Sequence, residues 1–118
     1  MNQKHTDILI IGMGLAGITA AITAAESGKK VTIITKTKDF SSGNTPWAQG
    51  GIVYKGLKDS PEKLKADIIK AGAGHAWEEA VDHLCKHGPK LVKEFLIEKT
   101  KVPFDRLGDE LKLVSEGA

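Results

Sequence analysis

The chain has 118 residues, 41% of them apolar and 27% charged, and 17 Lys+Arg against 15 Asp+Glu leave a formal charge of +2. That composition describes one globular domain of roughly 100–200 residues. It excludes a disordered chain, and without a basic block it argues against a nucleic-acid groove. The single cysteine, Cys85, excludes an internal disulfide and suits a reducing compartment, so a cytoplasmic protein, or a piece of one, is expected.

Residues 8–25 are poor in charge and follow Lys4, as in a secretory leader or short membrane span. Gly12, Gly14, Gly17, Thr19 and Thr23 interrupt the stretch, and a second strand-like run follows at once, so no membrane segment is expected. Residues 7–11 instead predict a strand buried on both faces of a parallel sheet. Residues 15–27, rich in alanine, predict a helix that lies close to the sheet, with Gly28 as its C′ residue. Residues 31–35 predict a second buried strand, which completes a right-handed βαβ unit. A polar loop then runs over 36–51, and residues 52–54 suggest a short edge strand.

Ser60, Pro61 and Glu62 supply an N-cap, a proline at N1 and an acid in the first turn of a helix running to about Ala71, with Gly72 and Gly74 beyond it. Val81, Leu84, Cys85, Leu91, Val92, Phe95 and Leu96 continue at helical spacing, and Gly88-Pro89 predicts a split into two helices. Residues 102–104 and 111–114 predict a hairpin around Gly108-Asp109. Two parallel strands are fewer than the four to six of a usual sheet, so the chain reads as the front of a longer protein. The expected fold class is α/β: an incomplete Rossmann-like βαβ unit over residues 1–55, then a helical segment and short hairpin over 56–118.

Gly12-x-Gly14-x-x-Gly17 sits where the first strand passes into the first helix. In a dinucleotide site the first glycine permits the turn, the second lets a pyrophosphate approach the backbone, and the third allows close helix–strand packing. The helix start then offers unpaired N–H groups and partial positive charge to the phosphates. A nicotinamide site usually places an acid on the ribose about 20 residues further on. Here that strand end reads Thr35-Lys36-Thr37-Lys38, and the first acid is Asp39, which disfavours the common NAD site. Lys36 and Lys38 leave NADP open, or are solvated loop charges.

The stretch from Asp7 to Gly17, the Thr35-Lys36 ending and Asn44-Thr45-Pro46-Trp47-Ala48-Gln49-Gly50-Gly51-Ile52 together resemble flavoproteins of the succinate dehydrogenase, fumarate reductase and L-aspartate oxidase family. The resemblance implies an FAD site made by Gly12, Gly14, Leu15, Ala16, Gly17, Lys36, Asn44, Thr45, Ala48, Gln49, Gly50 and Gly51. In it the glycine turn holds the pyrophosphate, the lysine lies on the adenosine side and the Gln-Gly-Gly loop runs under the flavin. Family members that link FAD covalently carry a histidine where this chain has Asn44. An amide cannot serve as that nucleophile, so non-covalent FAD is implied. Asp59-Ser60, Ala71-Gly72-Ala73-Gly74, Phe104-Asp105 and Glu116-Gly117 point to the aspartate-oxidising branch.

That branch implies oxidation of L-aspartate to iminoaspartate, with oxygen or fumarate as acceptor and quinolinate synthase downstream toward NAD. Glu116 is implied to receive the substrate ammonium, a favourable pairing for a carboxylate. Ser115 stands where the branch often has an arginine. The catalytic groups are expected beyond Ala118, so the chain alone is expected to be inactive. A fumarate reductase or succinate dehydrogenase relative with non-covalent FAD is the enzymic alternative; a non-catalytic piece that forms a homo-oligomer through its sheet edges is the other.

Among the remaining residues, His83 and His87 share a helix face, but the zinc-protease glutamate is missing between them and no metal site is assigned. Cys85 is read as a small core residue. Trp47 is placed near the flavin or as an anchor of its loop, Trp77 as packing for the next helix. Lys55, Lys58, Lys63 and Lys65 are read as a solvated surface.

Overall fold

The computed structural model describes residues 3–39, 42–48, 50–56 and 58–114. They form two compact units, Met1–Gly51 and Ile52–Ala118. The first holds β1 (Ile8–Ile11), α1 (Leu15–Glu26) and β2 (Val31–Ile34). The two strands pair in parallel, with Ile8 opposite Val31 and Ile11 opposite Ile34. Helix α1 ends at Ser27, and Gly28 takes φ +75°, a conformation that glycine adopts without the Cβ penalty. Asp7 closes the far end of the unit: its Oδ2 accepts from the Lys30 N–H at 2.7 Å, and its own N–H donates to the Lys30 carbonyl at 2.9 Å.

The strands are not buried on both faces. Leu9 is 54% exposed and Ile11 81%, and Ile33 and Ile34 are exposed as well. One helix covers one face of a sheet, and two strands leave two open edges, so apolar sequence alone does not bury them. Among its described residues, loop 36–51 contains one 3₁₀ turn, Thr45–Trp47. Residues 52–54 form no strand: Ile52 and Val53 are exposed, and no strand pairs with them among the described residues.

In the second unit, α2 (Pro61–Ala71) begins as its sequence dictates. The Ser60 hydroxyl accepts from the Lys63 N–H at 3.3 Å, with Pro61 and Glu62 in the first turn. Its Leu64 joins Val81 and Cys85 of α3 (Glu78–Leu91) in the buried core, with Ile68, Ile69 and Ala76 packed around them. Lys65 is no free surface charge: its ammonium lies 2.8 Å from Asp82 and 3.6 Å from Glu78, both on α3.

Pro89 does not split α3, which runs through it to Leu91 and continues as a π-helical segment, Val92–Lys99. An interior proline costs about 3 kcal/mol. Val81, Cys85 and Val92 recur on one face and are all buried, and burying such side chains is worth roughly 1.5–3 kcal/mol apiece. The stripe outweighs one missing N–H, and the winding changes from α to π at Val92, three residues after Pro89. Trp77 occupies the N-cap position of α3 and is 71% exposed, so it does not pack the helix down. The hairpin forms around Gly108-Asp109, but its strands hug the turn: β3 (Arg106–Leu107) and β4 (Glu110–Leu111) replace the longer arms predicted at 102–104 and 111–114.

Two stability tests follow from α2. Ser60→Ala removes the cap and is expected to cost about 1 kcal/mol, read as a lower denaturation midpoint. The hydrogen bond to Asp82 is the main cause that holds Lys65 above its ordinary value of 10.5. A raised lysine contributes fully below its unfolded-state value and loses that contribution as pH climbs through the folded-state value. The α2–α3 contribution should therefore be level through neutral pH and fall on the alkaline side. Lys65→Met should flatten that alkaline fall in denaturation curves taken across pH.

Candidate functional site

Gly12, Gly14 and Gly17 are needed for three different reasons. Gly12 follows β1, takes φ +109°, and donates its N–H to the Ile34 carbonyl at 2.8 Å, so the turn is tied to the end of β2. A Cβ on Gly17 would stand 2.2 Å from the Gly12 carbonyl oxygen and 3.4 Å from Ile10 Cγ2, so α1 reaches this close to β1 only with glycine there. Gly14 has ordinary extended angles, φ −74° and ψ 179°. A Cβ there would meet only the Thr45 hydroxyl, at 3.4 Å. Neither the conformation nor the packing of the chain demands glycine at 14.

Gly14 is also the N-cap of α1 and supplies no side-chain cap, and no acidic side chain lies in the first turn. The first intrahelical bond runs from the Ile18 N–H to the Gly14 carbonyl at 3.0 Å. The N–H groups of Gly14, Leu15, Ala16 and Gly17 precede it and are the donors that such a helix start presents to an anion. The Leu15 N–H donates to the Thr45 hydroxyl at 3.1 Å. Loop and glycine turn thus meet at one point, through a group that rotates away about one bond. A backbone free of Cβ at 14, uncapped donors and a movable hydroxyl fit a pyrophosphate.

Gly12, Gly14, Leu15, Gly17 and Thr45 come together, with Ala16 in the next helical position. Lys36 lies exposed just after β2. Asn44 opens the 3₁₀ turn, its carbonyl accepting from the Trp47 N–H at 3.0 Å, and Ala48 closes it on the Thr45 carbonyl at 3.2 Å. Gly50 and Gly51 would each accept a Cβ without meeting an atom within 4 Å. No hydrogen bond joins Lys36, Ala48, Gly50 or Gly51 to the glycine turn among the described residues. Gln49 and Glu116 lie outside the described residues. Trp47 is 83% exposed, so among the described residues its ring does not anchor the loop.

Elsewhere, the His83 and His87 rings lie 4.7 Å apart, and no group of three metal-ligating side chains forms among the described residues. Cys85 is buried, and burial pushes its thiol up, away from reactivity. No helix among the described residues is long and apolar enough to cross a membrane. Sequence reading passed over Asp7, which fastens the base of the sheet; an acid one residue before a strand was the available sign.

Residues 7–117 match a family model described as an FAD binding domain. The chain is 44% identical to an L-aspartate oxidase of Halobacterium salinarum over 85% of its own length and 19% of the relative's. It is 38% identical to an L-aspartate oxidase of Caulobacter vibrioides over 86% of the chain and 20% of the relative. It is 35% identical to one of Synechocystis over 100% of the chain and 21% of the relative. The chain therefore spans about a fifth of the length of these curated relatives. No solved structure matches it.

The geometry separates packing from ligand. Gly17→Ala raises helix propensity by about 1 kcal/mol, yet places a methyl 2.2 Å from a backbone oxygen. The clash is expected to win, with a lower melting temperature and loss of protection of the β1 amides in hydrogen exchange.

Proposed function

Since the chain belongs to the FAD binding domain family, we propose that it is the FAD-binding part of an L-aspartate oxidase, with its βαβ unit the start of a Rossmann-like domain. Residues 1–55 hold the dinucleotide and its loop, and residues 56–118 extend the same domain. The observation that carries the reading is Gly14. It is a glycine that neither the backbone angles nor the packing of the chain explains, placed where a pyrophosphate must come within hydrogen-bonding reach of uncapped N–H groups.

The Leu15 and Ala16 N–H groups bind the diphosphate, and the Thr45 hydroxyl turns from the Leu15 N–H to a phosphate oxygen. Lys36 lies on the adenosine side. Gln49, Gly50 and Gly51 pass beneath the ring, where open space around both glycines lets backbone N–H groups approach it. Asn44 offers an amide and no nucleophilic imidazole, so the cofactor is held without a covalent link. When bound, FAD supplies a hydride acceptor. Glu116 attracts the substrate ammonium, which selects an amino acid over a dicarboxylate that lacks one. The reaction assigned to the whole enzyme converts L-aspartate to iminoaspartate, with oxygen or fumarate as the final acceptor. Quinolinate synthase consumes the product on the way to NAD, in the cytoplasm.

The two open edges of the β1–β2 sheet, with Leu9 and Ile11 exposed on its uncovered face, favour a second reading, a non-catalytic homo-oligomer that pairs those edges. Absorbance decides between them. A yellow chain whose colour leaves with acid precipitation supports non-covalent FAD, whereas a colourless chain of enlarged hydrodynamic radius supports self-association. Gly14→Val is expected to keep its helical circular dichroism and lose FAD affinity by a hundredfold or more, on the order of 3 kcal/mol. Unchanged affinity in that folded variant refutes the pyrophosphate site.

A further inference from the structure

We propose that the second unit carries a binding site for a small multivalent oxyanion, in the cavity between the π-helical segment and the hairpin. The cavity, of about 470 Å³, is lined by Lys93, Lys101, Arg106 and Tyr54, with Glu98 as its one carboxylate. Its volume lies within the 300–1,000 Å³ typical of small-molecule sites. Residues 52–118 carry as many acidic as basic side chains, so this gathering of cations is a segregation of charge within a neutral unit. A neighbouring cavity of about 360 Å³ shares Tyr54 and Lys93 and adds Lys55, Lys86 and Lys90, with Glu94 paired to Lys90 at 3.8 Å, so Lys55 and Lys86 extend the positive field beyond the first.

The backbone around the cavity departs from regular structure twice. Lys93, Ile97 and Glu98 come from the π-helical winding, a form concentrated at functional positions. Lys101 sits two residues past the end of that segment at φ +56°, where a Cβ is unfavourable and glycine is not. Ala73 adopts a similar φ of 47° after α2 and lines neither cavity, so the conformation alone does not define a site. At position 101, however, the strained residue bears an ammonium that forms no ion pair with any described residue, and it faces the same cavity as a guanidinium.

Arg106 is already oriented. Its Nη1 donates to the Asp109 carbonyl at 2.8 Å across the hairpin turn, which leaves its other N–H groups for a ligand. Glu98 is engaged with Lys93 at 3.8 Å, so the charge left over belongs to Lys101 and Arg106, beside the Tyr54 phenol. Ile97 and Leu111, both half-buried, give one side of this open depression an apolar wall. Two cations and a hydroxyl against one wall suit phosphate or carboxylate groups that carry at least two negative charges.

The test is an amide-shift titration of the full chain, in a Gly14→Val background so that the glycine turn contributes no phosphate binding. Inorganic pyrophosphate and citrate are titrated separately. Saturable shifts at Tyr54, Lys101 and Arg106 with pyrophosphate alone support a phosphate-bearing ligand, and with citrate alone a carboxylate. Saturation by both supports the shared oxyanion chemistry. Lys101→Gly is expected to raise the melting temperature by roughly 4 °C, through release of the left-handed strain, and to weaken the saturating anion about tenfold. Arg106→Gln should weaken it by a similar factor. Absence of saturation with either anion, or unchanged affinity in Lys101→Gly, overturns the site. Because that variant is expected to be the more stable one, misfolding cannot account for a loss of binding.

Discussion

The approach of α1 to the end of β1 sets everything else in the first unit. Gly17 lies so near the Gly12 carbonyl that any side chain would displace the helix. The Gly12 N–H reaches across to the Ile34 carbonyl and fixes the same turn against β2. With helix and sheet locked at that spacing, the first N–H groups of α1 stand at the carboxyl end of two parallel strands. In open parallel sheets this is where the helix dipole and unpaired donors serve an anion. A wider gap would leave both strands in place and move the donors off the point where the Thr45 loop meets them. The restriction is steric, it resides in one missing methyl, and the chemistry of the turn inherits it.

Around that corner the chain divides its glycines between folding and binding. Gly12 answers to a dihedral angle and Gly17 to a contact, while Gly14, Gly50 and Gly51 answer to neither. Glycine without a structural reason costs roughly 0.5–1 kcal/mol in backbone entropy relative to alanine. Three such positions, one on the glycine turn and two on the loop after β2, are accounted for if something outside the chain approaches the backbone there. The Thr45 hydroxyl at the Leu15 N–H belongs to the same logic, since it satisfies a donor that a phosphate oxygen can take over.

Signals confined to a few neighbours were legible in the sequence. The Ser60-Pro61 helix start, the Gly28 stop and the glycine turn each depend on residues within about one helical turn, and each formed where its pattern lay; the two apolar runs also formed strands, whose parallel pairing joins residues as far apart as Ile8 and Val31. What failed depended on partners remote in sequence or absent. Residues 52–54 have strand propensity and no strand to pair with, and β1 has core-like composition with one covered face. Pro89 breaks helices on average, but here the stripe of Val81, Cys85 and Val92 outweighed it, a balance that appears only once the packing of Val81 and Cys85 with Leu64 of α2 is known. The cavity around Lys93, Lys101 and Arg106 left no local mark, because Tyr54 joins it from the other end of the unit.

The two units also differ in how far they are self-sufficient. Leu64, Val81, Cys85 and Val92 are buried in the second, whereas Ala21 is the one buried residue among those described in the first. A side chain as small as alanine contributes little transfer free energy, so the strands and α1 rest largely on backbone pairing and on the tie at Asp7. Such a unit gains much from any ligand that binds only its folded form. At a free concentration one hundred times its dissociation constant, a ligand adds about 2.7 kcal/mol, a large share of the marginal stability of a small domain. A dinucleotide spanning the glycine turn and the loop near Gly50 would join two segments that, among the described residues, meet chiefly through one hydroxyl. Order in the first unit and occupancy of its corner are therefore expected to rise and fall together, while the second unit holds its shape on its own core.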